Sequence, residues 1–517
     1  MTKPAPFTLN IRDRGAVGDG TTIDSPAIQS TIDAVASQGG GVVQIPSGTF
    51  LSFTLHLRSG VTLHLDAGAT LLAATPSADH GGYDQPEPNP WGDELQYQDF
   101  GHSHWRNSLI VGDALTDIAI TGPGLIDGCG LLRHATYATA DGDPGPNGTV
   151  AAGTKVTLTS GHGDTIENPL GHGNKAIALR HCRRVTLRDF RLHRGGHFAL
   201  LATGVEDLTI TGLLVDTNRD GLDLDGCRRV HVSHCTVNAP LDDAIVLKTS
   251  YALGRLQSCE DIIIEHCTVS GYDVGTVLDG TLGATLTHAP DRDGPTGRIK
   301  IGTESNGDFR RITIRHCTFR RSRGLALETV DGATIEDVNA SDLTLEDITN
   351  SAIFLRIGNR VRGPAGTPIG ALRNVTIRDL TARNVDGRFP ILLAGLPDHP
   401  LENIVLSDVT VETTGGITLA DVAAQADHLV NAFFLRPDEP GVTGPRGTTA
   451  ADVPERARAY PEPSMFGLLP ASALFARHVR GLTLQRVEVT PTSPDERPPV
   501  LLDDVTEVQT IDGNLTI

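Results

Sequence analysis

Hydrophobic and polar residues alternate along this chain in short bursts that stop and restart in a new phase. In RRVHVSHCTVN, from Arg228, Val230 and Val232 alternate with polar neighbours, as a half-buried strand requires. The inward phase then moves to Cys235 and Val237, which implies a corner near Ser233. The unit recurs as RRVTLRDFRLH from Arg183, EDLTITGLLVD from Glu206, EDIIIEHCTVS from Glu260 and RRITIRHCTF from Arg310, then as RNVTIRDLTA from Arg373 and ENIVLSDVTV from Glu402. Its landmarks Val185, Leu208 and Val230 are 23 and 22 residues apart. Short strands joined by corners at this period predict an all-β solenoid, a parallel β-helix. Each unit buries its apolar face only against its neighbours, so 1–517 is expected to be a single elongated domain.

Residues 1–75 depart from the repeat. SPAIQSTIDAVAS, Ser25 to Ser37, has helical spacing with Ser25 as N-cap, Pro26 at the first helical position and Gly39 as the stop. This helix is expected to cap one end of the coil, and GGGVVQIPSGTFL and GVTLHLDAGATLLA begin its first turns. Three insertions interrupt the pattern and are expected to project as loops on the binding face. Residues 80–107 hold both tryptophans, Trp91 and Trp105, with His102 and His104. Residues 135–174 are Gly-rich, and 437–469 are Pro-rich and contain YPEPSMFG.

Composition narrows the partners. The formal charge is 43 − 63 = −20, which argues against nucleic acid and anionic membranes. No apolar run is long enough to span a membrane, and MTKPAPFTLNIRDRG lacks the apolar core of a signal peptide. A cytoplasmic location is therefore expected. The seven cysteines include no CxxC pair, and Cys235, Cys267 and Cys317 recur at one place in the unit. Stacked, reduced core thiols explain them without disulfides or metal.

Chemistry concentrates in TNRDGLDLDGC and, one repeat later, PLDDAIVLK. Asp242 and Asp243 follow Asp220 by 22 and 23 residues, which puts Asp220 and Asp242 at the same point on successive turns. Successive turns stack about 4.8 Å apart. Two carboxylates flanking a glycosidic bond suffice for hydrolysis, and inverting enzymes hold them about 6.5–9.5 Å apart to admit water. Side chains splayed outward from neighbouring turns can reach that range. Asp242 and Asp243 are adjacent and need a bend to share a face. Crowding raises one carboxyl's pKa and keeps it protonated as the acid. Corner aspartates or a Ca²⁺ site are the alternative readings of such a cluster.

At these residues the chain resembles glycoside hydrolase family 28, the polygalacturonase family, as a divergent member of bacterial type. NRDGLD and DDA carry the resemblance, with IRDRGAVGDG, IPSGTFLS, LHLDAGATL, ILLAGLPDHPLENI, YPEPSMFG and LFARHVRGL elsewhere. It implies a right-handed parallel β-helix that inverts at the anomeric carbon without metal or cofactor. Asp220, Asp242 and Asp243 would be its acids, with Asp242 as proton donor and Asp220 and Asp243 holding the water. Asn218 and Glu304 would contact the substrate. Two departures bear on the sugar. Thr296 falls where the family has a histidine, and Ala326 and Glu328 stand where it has the basic pair that holds a galacturonate carboxylate. Arg298 and Lys300 lie in another register, either by coincidence or to supply that charge from one turn earlier.

Further binding candidates are Lys248 beside the aspartate pair, His197 one turn before Asp220, and Tyr272 with Asp273 at the next insertion. Arg356 and Asn359 would line a far subsite, and Trp91 and Trp105 would stack on sugar rings. His102 and His104 lack a third ligand, so no zinc site is expected. The expected function is exo-acting, inverting hydrolysis of pectin-derived oligosaccharides carrying galacturonate or a neutral sugar. A β-helix polysaccharide lyase, which needs a basic residue and usually Ca²⁺, and a non-catalytic carbohydrate-binding solenoid are the alternatives.

Overall fold

Each unit closes into a coil because its corner residue adopts the left-handed backbone conformation. The second residue of each RR or ED pair lies there, with φ of 53° at Arg184, 57° at Asp207, 54° at Arg229, 58° at Asp261 and 54° at Arg311. The register stacks these pairs as Arg183↔Glu206, Glu206↔Arg228, Arg228↔Glu260 and Glu260↔Arg310. Acid therefore meets base along the corner: Arg184–Asp117 at 2.6 Å, Arg229–Asp207 at 2.6 Å and Arg311–Asp261 at 2.7 Å. Exposed pairs add only about 0–1 kcal/mol each. A slip of one turn, however, would set like charges together, so the ladder specifies register.

The computed structural model describes residues 6–88, 100–132, 158–159, 165–166, 171–431, 433, 435, 439 and 441–515. Three parallel strand faces run along a right-handed coil, each strand pairing with the one a turn later. Phe198–Thr203 pairs with Asp220–Asp225, Glu206–Thr211 with Arg228–Ser233, and Leu214–Asp216 with Thr236–Asn238. The corner expected near Ser233 is at His234, whose φ is 55°. Aliphatic residues fill the coil, and all seven cysteines are free and buried. Among the described residues no helix is long and apolar enough to cross a membrane.

The capping helix α1 spans Ser25–Ser37 as expected, but Ser25 is inside it. Asp24 holds the cap position and makes no capping bond, because its carboxylate accepts from the Val17 and Gly18 amides. Ser25 Oγ instead accepts from Phe53 N at 2.8 Å.

Six strands of the first face carry the site: β1 (Phe198–Thr203), β2 (Asp220–Asp225), β3 (Ile245–Thr249), β4 (Ile299–Ser305), β5 (Leu325–Thr329) and β6 (Ile353–Ile357). The β2–β3 register is Leu222↔Ile245 and Asp223↔Val246. It puts Asp243, not Asp242, one turn from Asp220, and the Gly221 amide donates to the Asp243 carbonyl at 3.0 Å. The spacing in the first face follows the extra residue of the Asp242–Asp243 bend, while the other faces keep 22.

Candidate active site

β3 begins only at Ile245, and the irregular segment before it gives the bend that two adjacent aspartates need. The Asp243 amide donates to Asp242 Oδ1 at 3.0 Å. One oxygen from each of Asp220, Asp242 and Asp243 lies within 4.8 Å of the others, closer than the carboxyl separation of about 6.5–9.5 Å common in inverting sites. Each carboxylate also meets a cation of the protein. Asp242 pairs with Arg219 at 2.8 Å and Asp220 with Lys248 at 4.0 Å. Asp243 meets Arg298 at 2.8 Å and Lys300 at 3.5 Å. Arg298 and Lys300 thus belong to the acidic centre itself.

This arrangement separates the carboxyls electrostatically. Burial, with Asp242 and its charge close by, holds the Asp220 carboxyl well above the ordinary range. Burial opposes the charge of Asp243 too, but Lys300 and Arg298 outweigh it and hold that carboxyl low. Asp242 is the most exposed of the three, its side chain 25% accessible. The cluster therefore holds one buried carboxyl that keeps its proton more readily, one that gives it up more readily, and one carboxyl group facing solvent.

A second network supports the first. Lys248 reaches Asp223 at 3.2 Å and Glu304 at 3.3 Å, and Glu304 also meets Arg360 at 3.6 Å. His102 Nε2 donates to Asp223 at 3.0 Å. Burial and Lys248 oppose protonation of His102, but Asp223 and Glu304 prevail and lift its pKa to about 9. Lys300 also meets Glu328 at 3.2 Å. β4 passes β5 closely there: a Cβ on Gly302, whose φ is 100°, would lie 2.1 Å from the Glu328 carbonyl oxygen.

Burial raises Glu328 from 4.5 to about 7 despite Lys300 and Arg298. An acid with a raised folded pKa contributes stability that is complete below about pH 4.5 and lost as pH rises through about 7. Glu328→Gln should therefore gain on the wild type by about 3 kcal/mol between pH 4 and pH 8. Urea unfolding at both pH values checks this; an equal gap at both would contradict it.

Two insertions flank the acids along the coil axis. On one side Trp105 packs on Ala178, Phe198, Leu201 and Ala252. On the other, Met465, Phe466 and Leu469 of the 437–469 insertion cover Ala326, Phe354, Leu392 and Phe475. Tyr460 lies over Lys300, 5.3 Å from ring centroid to Nζ. Glu462 is buried against Arg298 and against Arg323, the latter at 3.0 Å. The acids thus sit between two apolar plugs.

Several sequence candidates have other work. Trp105 is an anchor rather than a sugar platform: it is 4% exposed, its Nε1 donates to Thr203 Oγ1 at 3.0 Å and Arg180 covers its ring at 4.5 Å. Arg356 donates to the Gly395, Glu455 and Arg456 carbonyls, which fastens the 437–469 insertion instead of lining a subsite. The Asn359 amide likewise donates to Ala457 O. Asp273 accepts from the Thr285 and Leu286 amides and staples its own loop, while the Tyr272 backbone bonds the Asn238 side chain. Their short, capping-prone environment drew them into turn chemistry. His197 is buried edge-on to Phe198, and Asn218 is buried two residues before Asp220. His102 and His104 part company: burial and Lys175 depress His104 to about 3. Trp91 lies outside the described residues. Asp223, Arg323, Arg360, Tyr460 and Glu462 were missed. Asp223 was visible as an outward polar position in the alternation of GLDLDG, and Glu462 stood in YPEPSMFG.

The family model that matches is Rhamnogalacturonase A/epimerase, pectate lyase-like, over residues 8–100. The exo-poly-alpha-D-galacturonosidase of Dickeya chrysanthemi is 34% identical over 156 residues, 30% of this chain and 25% of that protein. The chain thus matches only a quarter of that relative's length. A probable polygalacturonase of Vitis vinifera is 23% identical over 427 residues, 78% of this chain and 74% of that one. A family 28 exopolygalacturonase structure from Yersinia enterocolitica superposes with a TM-score of 0.63 at 18% identity, covering 99% of this chain and 79% of that one. The fold is the right-handed parallel β-helix of that structure, with an acidic cluster on one face. Over these stretches the chain is similar to polygalacturonases, and over nearly its whole length to the fold of a family 28 exopolygalacturonase.

Proposed function

We propose that the protein hydrolyses a glycosidic bond at one end of a pectin-derived oligosaccharide, with inversion. The convergence of Asp220, Asp242 and Asp243 carries the hydrolytic part of this reading, and inversion rests on the resemblance to glycoside hydrolase family 28. Their opposed electrostatics put a proton and an ionised base at one point. The outward Asp242 is placed to hand the proton of the Asp220–Asp242 pair to the leaving oxygen. Asp243, held ionised by Arg298 and Lys300, draws a proton from the attacking water. The names of the relatives support pectic substrates.

Plugs on both sides of the acids support exo action, since a site blocked along the coil accepts a chain end more readily than a chain interior. A lyase is less well supported, because Arg298, Lys300 and Lys248 are each ion-paired with acids. Proton NMR of the first products from pectic oligosaccharides tests the proposal. It expects single-residue release with the anomeric configuration inverted; mid-chain products or a retained anomer would contradict exo action or inversion respectively.

A further inference from the structure

We propose that Glu462 occupies the place a substrate carboxylate would take at Arg298, so that the catalytic subsite accepts a neutral sugar and rejects a uronate. This rests on the hydrolase reading above and names its substrate class.

A protein recognises a carboxylate best with a guanidinium that donates two parallel bonds. Arg298 makes that two-pronged contact with Glu462: Nη1 donates to Oε2 at 3.2 Å and Nη2 to Oε1. Arg323 Nη1 donates to the same Oε1 at 3.0 Å. Glu462, Arg298 and Arg323 are 1%, 2% and 1% exposed, so the seat is closed. Lys300, the other cation at Asp243, is matched by Glu328 at 3.2 Å and covered by Tyr460. Lys248 is matched by Asp223 and Glu304, and Arg219 by Asp242.

A uronate here would add negative charge beside Asp243 and Glu462, where each cation named above already meets an acidic side chain. Such uncompensated charge is how a site rejects a ligand. Glu462 is also poorly placed to swing away. Pro461 and Pro463 restrict its backbone. Ser464 Oγ donates to Asp293 at 2.6 Å, and the neighbouring Met465 and Phe466 are buried in the plug.

The test uses the full chain, wild type and Glu462→Gln, with free oligogalacturonides, their methyl esters and neutral galactosides. The ester removes the charge and keeps the ring. Wild type should cleave an uncharged substrate about tenfold or more faster than the free acid, and Glu462→Gln should reverse or abolish that preference. Wild-type preference for the free acid would overturn the proposal, and this comparison decides even if the variant does not fold. Absence of turnover on every substrate by folded wild type would sink the hydrolase reading instead. Thermal shifts with galacturonate and galactose then read Glu462 separately: stabilisation of wild type by galacturonate would overturn its assignment, and stabilisation of Glu462→Gln alone would uphold it.

Discussion

Asp243→Asn is expected to lower kcat on a cleaved pectic oligosaccharide by about 10²–10⁴-fold while leaving KM nearly unchanged. The substitution keeps the shape and the hydrogen-bond reach to Arg298 but removes the charge that Arg298 and Lys300 hold in place. Asp242→Asn should lose a comparable factor with a different signature. Leaving groups that need no protonation should restore much of its rate, and should not restore Asp243→Asn. Asp220 sets the alkaline limb of the wild-type pH profile: its carboxyl sits above the ordinary range, so activity declines as pH rises through it. The depressed Asp243 sets the acid limb, and activity declines as pH falls through it. Asp220→Asn should erase the alkaline limb. A KM effect alone in all three variants would assign the cluster to binding.

The second large effect concerns stability. Arg298→Met should destabilise the fold by about 3–5 kcal/mol, because it leaves Asp243 and Glu462 buried with one cation fewer between them. Removing both members of a buried pair costs much less than removing one. Arg298→Met with Glu462→Met should therefore recover most of the loss in urea titrations. Additive losses would mean that the two side chains do not depend on each other.

Much of this was legible in the chain because a β-helix repeats its physics every turn. The RR and ED pairs that opened each unit are the charged corner ladder, and SHC, EHC and RHC mark a buried thiol column. The acidic centre was legible for the same reason, since NRDGLD and DDA stand one turn apart. What the period hid was phase. The bend at Asp242 and Asp243 adds a residue to one face, so Asp243 pairs with Asp220 although the other two faces of that turn are offset by 22. Partners brought by insertions were illegible for another reason. Glu462 reaches Arg298 across 164 residues, and no periodicity links them. Trp105 and Arg356 looked like binding residues because aromatic and guanidinium groups serve both ligands and loop anchoring. Only the contacts of Trp105 with Thr203 and of Arg356 with the Glu455 carbonyl separate the two uses.

Water should add across a glycosidic bond at the aspartate cluster. Incubation of the wild type with pectic oligosaccharides in ¹⁸O-labelled water, followed by mass spectrometry, tests it most directly. Heavy oxygen at the new reducing end, no unsaturated sugar, and at least about a hundredfold slower label incorporation by Asp243→Asn are expected. An unsaturated, unlabelled product would establish elimination instead, and label incorporation undiminished in Asp243→Asn would place the chemistry elsewhere.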